Sequence, residues 1–240
     1  MNAPARVRAC LAGFLLLSGV SSAALAQDPG LSVSAGARAW YTQWTTFGYY
    51  APANVNLALT QVSGPATWVV LPTVSLRYGN FIGSFSAFPA TNFTFSDASA
   101  SKREEFDLNL GYAVLPGLNL TLGYKKIAQR GADFRYEPAG PVLGLSGNAA
   151  LAGALSVYGA LGLGQLKTPT SGGDKVVKFK AAYRLTEVGL AYTLPATGFV
   201  KRWTLTAGHR IQVMRSKEAF ESQDGIDTTQ GFTLGALATF

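Results

Sequence analysis

The chain has 240 residues, 48% of them hydrophobic and only 14% charged, with a formal net charge of +7. That charge fraction lies well below the usual quarter, yet no segment after residue 26 holds 18 consecutive apolar residues, which excludes a transmembrane helix there. The positive excess is diffuse and carries no DNA- or RNA-binding motif, so nucleic acid is excluded as a partner.

The chain starts with a positive stretch containing Arg6 and Arg8, a short apolar run over 11–20, and Ala24-Leu25-Ala26. This order of charge, apolar core and small-residue site predicts a secretory signal peptide over 1–26, cleaved before Gln27. The one cysteine, Cys10, falls inside that segment. The exported part, 27–240, is therefore expected to be one domain without disulfides.

From residue 31 onward, apolar residues alternate with small polar ones at period 2, the signature of strands. Ten strands are predicted, over 31–45, 67–78, 81–95, 104–114, 118–128, 142–151, 154–165, 176–194, 203–214 and 230–240. Eight strands would follow if the pair 142–151 and 154–165 were shorter. In the second strand, Trp68, Val70, Val74, Leu76 and Tyr78 share one row. Pro72 interrupts it, and a bulge is expected there because proline donates no ladder hydrogen bond. In the third, Phe81, Phe85, Phe93 and Phe95 are read as one row. In the eighth, the apolar row passes from Tyr183 and Leu185 to Val188, Leu190 and Tyr192, so a one-residue bulge is expected near Thr186-Glu187.

The predicted links alternate in length. Those at 78–80, 115–117 and 152–153 are short, while those at 46–66, 96–103, 129–141, 166–175 and 215–229 are long and mostly polar; 195–202 is intermediate. Loop 46–66 is unusually apolar, with Phe47, Tyr49, Tyr50 and Leu59, and is expected to fold over a mouth or meet a partner. Aromatic residues fall at strand ends. Trp68, Phe93, Phe106, Tyr124, Phe179 and Phe232 lie beside long links. Tyr78, Phe81, Tyr112, Tyr192, Trp203 and Phe240 lie beside short links or the terminus. Two such girdles with Leu, Val and Ala between them fit an interfacial belt. The competing architecture is a soluble β-sandwich or lipocalin-like barrel, with the apolar row inside and a polar row outside.

The rows opposite the apolar ones carry Gly, Ser, Thr, Asn and a thin set of charges. Arg38, Arg77, Asp107, Lys125, Arg184, Glu187 and Arg210 are expected to face a lumen, with Lys178 and Lys180 as further members of that row. They form either a plug of paired charges or a constriction selecting anionic solutes; a narrow barrel favours the plug. No catalytic residue, metal ligand set or cofactor motif is identified. The one histidine, His209, is placed on the lipid row by its parity with Trp203, Leu205 and Ala207, and it lacks a second His or a close carboxylate pair. Protease-type ten-stranded barrels need clustered acids and a histidine near the outer rim, and here the one histidine, His209, faces lipid by parity unless a bulge turns it.

The last strand, Gln230-Gly231-Phe232-Thr233-Leu234-Gly235-Ala236-Leu237-Ala238-Thr239-Phe240, ends on an aromatic residue in the apolar row. With the secretory start, the alternation over 27–240 and the two belts, the chain resembles small outer-membrane β-barrel proteins of Gram-negative bacteria. The resemblance implies an all-β, closed antiparallel transmembrane barrel exported to the outer membrane. It also implies a surround of lipid and lipopolysaccharide, and assembly machinery that reads Phe240. It reaches no functional subfamily and leaves the oligomeric state open. An envelope or loop-mediated binding role without catalysis is expected; the alternatives are a passive narrow channel for small solutes, anions among them, and an outer-membrane hydrolase.

Overall fold

The computed structural model describes residues 30–50, 58–131, 134–172, 175–220 and 223–240; the predicted signal segment lies outside them. Twelve strands form: β1 (Leu31–Tyr50), β2 (Ala58–Ser63), β3 (Thr67–Tyr78), β4 (Phe81–Thr94), β5 (Ala100–Leu115), β6 (Leu118–Arg130), β7 (Phe134–Tyr136), β8 (Ala139–Ala152), β9 (Leu155–Gly172), β10 (Lys175–Leu194), β11 (Arg202–Phe220) and β12 (Gln223–Thr239). Ten of them close on themselves in the order β1-β3-β4-β5-β6-β8-β9-β10-β11-β12 and back to β1, as an antiparallel barrel. Closure removes the sheet edges, so each strand has two ladder partners. The short β2 folds back on the far end of β1. The short β7 shares with β8 one place between β6 and β9, interrupted at Glu137-Pro138, where proline cannot donate to the ladder.

The two ends of the barrel differ. One carries the tight turns, with Gly79 at φ 54° and Gly117 at φ 76°, left-handed backbone that glycine adopts without a side-chain clash. At the other end the strands run on as long arms. Arms fill much of what the sequence presents as loops: β9 reaches Gly172, β11 reaches Phe220, and β12 begins at Gln223. In outer-membrane barrels the short turns face the periplasm and the long connections face outward.

The outer wall is apolar. Leu110 and Leu122 are 61% exposed and Leu163 62%, which overturns the soluble-barrel alternative with its polar exterior. Trp68, Tyr78, Tyr112, Tyr124 and Tyr192 stand on this wall, as do Phe106 and Phe232. Trp203 is half-buried, its indole N–H donating to Thr197 Oγ1 at 3.0 Å. Phe240 stacks on Phe199 with ring centroids 5.7 Å apart, and its amide donates to the Val33 carbonyl at 2.8 Å.

Several expectations about register need correction. Pro72 makes no bulge: β3 pairs with β1 through it without a shift, and the β3–β4 ladder begins only at Thr73, so the missing N–H interrupts no bond on that side. The irregularity lies instead in β4, between Phe88 and Thr91. It exchanges the faces, so Phe93 and Phe95 point inward and are buried rather than joining a girdle. β10 has no bulge near Thr186-Glu187; it pairs with both neighbours in unbroken register. Ala181 and Tyr183 are buried on the inner face, and Arg184 is exposed on the outer one. The side chains of Phe179 and Lys178 lie outside the described residues.

Candidate functional site in the barrel lumen

In the arm half, inward side chains fill the bore. Trp40 and Trp44 of β1 pack with Val62, Val69, Leu71, Phe88, Phe93 and Phe95. The Trp44 ring meets Phe95 edge-on at 4.9 Å and Phe93 at 5.3 Å. On the opposite side, Ile127, Tyr136, Leu166, Ala181, Tyr183 and Met214 form a second buried cluster. The end of β1 reaches towards this cluster, with Phe47 lying edge-on to Tyr136 at 6.2 Å. The segment 46–66, expected as a loop, is largely strand, the end of β1 and all of β2, and brings Phe47 to Tyr136; residues 51–57 lie outside the described residues.

Between the clusters runs a chain of charges. Arg103 donates through Nε to Glu105 Oε1 at 2.7 Å and through Nη1 to Asp227 Oδ1 at 2.8 Å. Asp227 Oδ2 also accepts from Trp44 Nε1 at 2.7 Å and Gln129 Nε2 at 2.8 Å. Lys125 Nζ bridges Glu105 at 2.7 Å and Asp107 at 3.0 Å. Lower in the bore, Glu187 accepts from Arg38 at 2.5 Å, from Arg210 at 3.1 Å and from the Tyr158 hydroxyl at 3.1 Å. Gln212 lies between the two groups; with its side-chain amide turned to suit both neighbours, its nitrogen donates to Glu105 at 3.1 Å and its oxygen accepts from Arg210 at 3.2 Å. Arg103 lies over Trp44 at 5.0 Å, Lys125 over Tyr183 at 5.4 Å and Arg210 over Trp40 at 5.4 Å.

The four cations, Arg38, Arg103, Lys125 and Arg210, are matched by four acids, Glu105, Asp107, Glu187 and Asp227. Charges withdrawn from water persist only when paired and hydrogen-bonded in this way. On the turn side of the network lies a cavity of about 250 Å³, lined by Thr73, Ser84, Ser86, Asn109, Thr121 and Ser146 among others.

Five of the residues expected in a lumen network, Arg38, Asp107, Lys125, Glu187 and Arg210, are brought together. Arg77 is not: it sits near the turn end, its Nε donating to the Gly79 carbonyl at 3.2 Å. Arg184 is on the outer wall, because unbroken register puts it and Glu187 on opposite faces of β10. Sequence reading missed Arg103, Glu105 and Asp227. Arg103 and Glu105 share the parity of Asp107, so extending that row by two steps finds them. Asp227 shares the parity of Thr229 and Thr233 but fell in a segment taken for a loop. His209 faces outward, edge-on to Phe232 at 5.1 Å. Among the described residues, no group of three His, Cys, Asp or Glu side chains could hold a metal.

No family model matches the sequence, and no curated protein matches it. Among solved structures the chain is similar to the outer membrane protease OmpT of Escherichia coli, with a TM-score of 0.54 at 11% identity over 93% of this chain and 100% of that one. It is also similar to the translocator domain of the autotransporter NalP from Neisseria meningitidis (TM-score 0.45, 14% identity, 98% and 97% of the two chains). For Ail, the attachment invasion locus protein of Yersinia pestis, the TM-score is 0.28 at 14% identity, over 86% and 98% of the two chains. Of these three, only the OmpT likeness is close enough to bear on architecture, and at that identity it speaks for the fold alone. The chain has the fold of a Gram-negative outer-membrane transmembrane β-barrel, ten antiparallel strands with an apolar outer wall around a lumen of paired charges.

Proposed function

We propose that this barrel does not conduct, and that it serves the envelope as a rigid, plugged cylinder whose outward arms present a binding surface. The observation that carries this reading is the filled arm half of the bore, where Trp40, Trp44, Arg103 and Lys125 are at most 1% exposed. An ion crossing that half would have to separate bonded charges in a low-dielectric bore, with no wide path beside them. The arms add a face for partners: Phe47 and Tyr136 meet edge-on there, and Arg130, Arg135 and Glu104 form an exposed charged rim around the half-buried Glu137.

The rival reading, a narrow channel for small anions, draws on the polar cavity on the turn side and on Arg38 and Arg210 at its ceiling. Planar-bilayer conductance separates the two. The purified barrel should give no steady conductance, and Trp40→Ala with Trp44→Ala should open one. Steady, anion-selective conductance in the unaltered barrel would retire the plug.

Catalysis is not part of this proposal. The protease barrel from Escherichia coli shares the architecture, but here the sole histidine, His209, stands on the outer wall beside Phe232, away from the buried acids. Assembly through the barrel assembly machinery, with Phe240 as the residue read, belongs to the same proposal.

A further inference from the structure

The outer wall of β9, β10 and β11 carries an arrangement that the apolar belt does not explain. Lys167 and Lys180 are direct cross-strand partners. The β10–β11 ladder ends at Ala181↔Ser216, and Lys217 follows Ser216 at that end of β11. All three point outward and are exposed. Towards the belt, Arg184 stands between Leu163 and Val213, also exposed. None of these four forms an ion pair with an acid among the described residues, whereas nearby Arg215 is held by Asp224 at 2.6 Å. Like charges directly opposite each other destabilise a sheet, so the Lys167–Lys180 pair, with Lys217 exposed just past the end of the β10–β11 ladder, calls for an external anion.

Their height selects that anion. At the usual strand rise and tilt, the stretch of β10 from Tyr192 in the turn-end girdle to Lys180 spans roughly 30 Å along the barrel axis, just beyond an apolar band of about 25 Å. The lysines therefore stand at headgroup level on the arm side, and Arg184, roughly 20 Å up, can snorkel to the same level from the edge of the band. An anion there must be attached to an acyl body lying against Leu161, Leu163, Val188 and Val213. A phosphorylated lipid of the outer leaflet has that shape.

We propose that Lys167, Lys180 and Lys217, with Arg184 below them, form a docking site for the phosphate groups of an outer-leaflet glycolipid such as lipid A. The chains of the lipid cover the wall of β9–β11 while its phosphates separate the three ammonium groups. The site is independent of whether the lumen conducts.

The test uses the purified barrel in detergent, titrated with bis-phosphorylated lipid A and with its dephosphorylated counterpart, bound lipid being counted by native mass spectrometry. The phosphorylated form should bind at least about tenfold more tightly, given the usual gain for each basic residue near a membrane surface. Lys167→Gln with Lys180→Gln and Lys217→Gln should erase that preference. Lys201→Gln with Arg202→Gln, exposed at the turn end, should keep it. Equal binding of the two lipids by the unaltered barrel would overturn the proposal, and that comparison stands even if the triple variant assembles poorly. So would persistence of the preference in the triple variant, or its equal loss in the turn-end variant. Competition by inorganic phosphate at the same concentration would also overturn it, since a free anion would then suffice.

Discussion

In the arm half of the lumen, Trp40, Trp44 and Ile127 are wholly buried, and Arg103 and Lys125 nearly so. In the turn half, the barrel presents Ser84, Ser86, Thr121 and Ser146 to a cavity of about 250 Å³. One sheet thus supports two interiors, and what distinguishes them is the size and charge of the inward residues. Large aromatic side chains exclude water from the arm half, and that exclusion is what makes its ion pairs both strong and costly to break. Small hydroxyls in the turn half hold no such network. Stability should therefore be concentrated in one half and assembly determinants in the other.

The largest expected effect belongs to the turn end. Deleting Phe240 should sharply lower the amount of assembled barrel, read as the heat-modifiable band on a gel, while barrel that does assemble unfolds at nearly the unaltered temperature. Normal assembly without Phe240 would remove the turn end's part in the comparison. In the arm half, Arg103→Ala strips Glu105 and Asp227 of a shared partner and should cost about 3–5 kcal/mol, measured by denaturant unfolding in micelles. Arg77→Ala, a change of the same chemical kind at the turn end, should cost under about 1 kcal/mol, because it removes a single hydrogen bond to the Gly79 carbonyl. Equal losses for the two arginines would erase the difference between the halves. Ser84→Ala in the cavity wall should stay within about 0.5 kcal/mol.

The smallest effect concerns pH at the arm rim. Burial works to raise the Glu137 carboxyl, but hydrogen bonds from Arg135 and Arg130 outweigh it and hold the group below the ordinary glutamate value. A lowered carboxylate stabilises the fold at pH above its unfolded value and loses that contribution as pH falls through the lower folded one. For such a solvated cluster the loss should be a few tenths of a kcal/mol, absent in Glu137→Gln.

The barrel itself was legible because its apolar row faces outward, where a simple alternation suffices. Trp68 to Tyr78 reads as a strand from spacing alone. What misled was the filled interior. In β10 the change of apolar parity from Tyr183 to Val188 suggests a bulge, but Tyr183 packs inside the plug and Val188 on the outer wall, with the backbone regular between them. A sequence cannot tell an apolar residue facing lipid from one facing a plug. The converse holds at Phe93 and Phe95, where a real irregularity after Phe88 turned the row inward although the spacing looked continuous. Of the charge network, the members in mid-strand were legible by parity. Asp227 was not, because its partners Trp44, Arg103 and Gln129 lie 183, 124 and 98 residues away.

Those separations bear on the order of events in folding. Each hairpin of the barrel can form from neighbouring chain, but the seam between β1 and β12 joins the two ends of the domain, and contacts of such long range come late and slowly. Trp44 and Asp227 sit on either side of that seam, so their bond can form only once the circle has closed. Interactions made after the rate-limiting step do little to hasten folding and act mainly to slow unfolding. The buried acid on the last strand is on this account a latch: it holds shut a cylinder that other parts of the chain have drawn together.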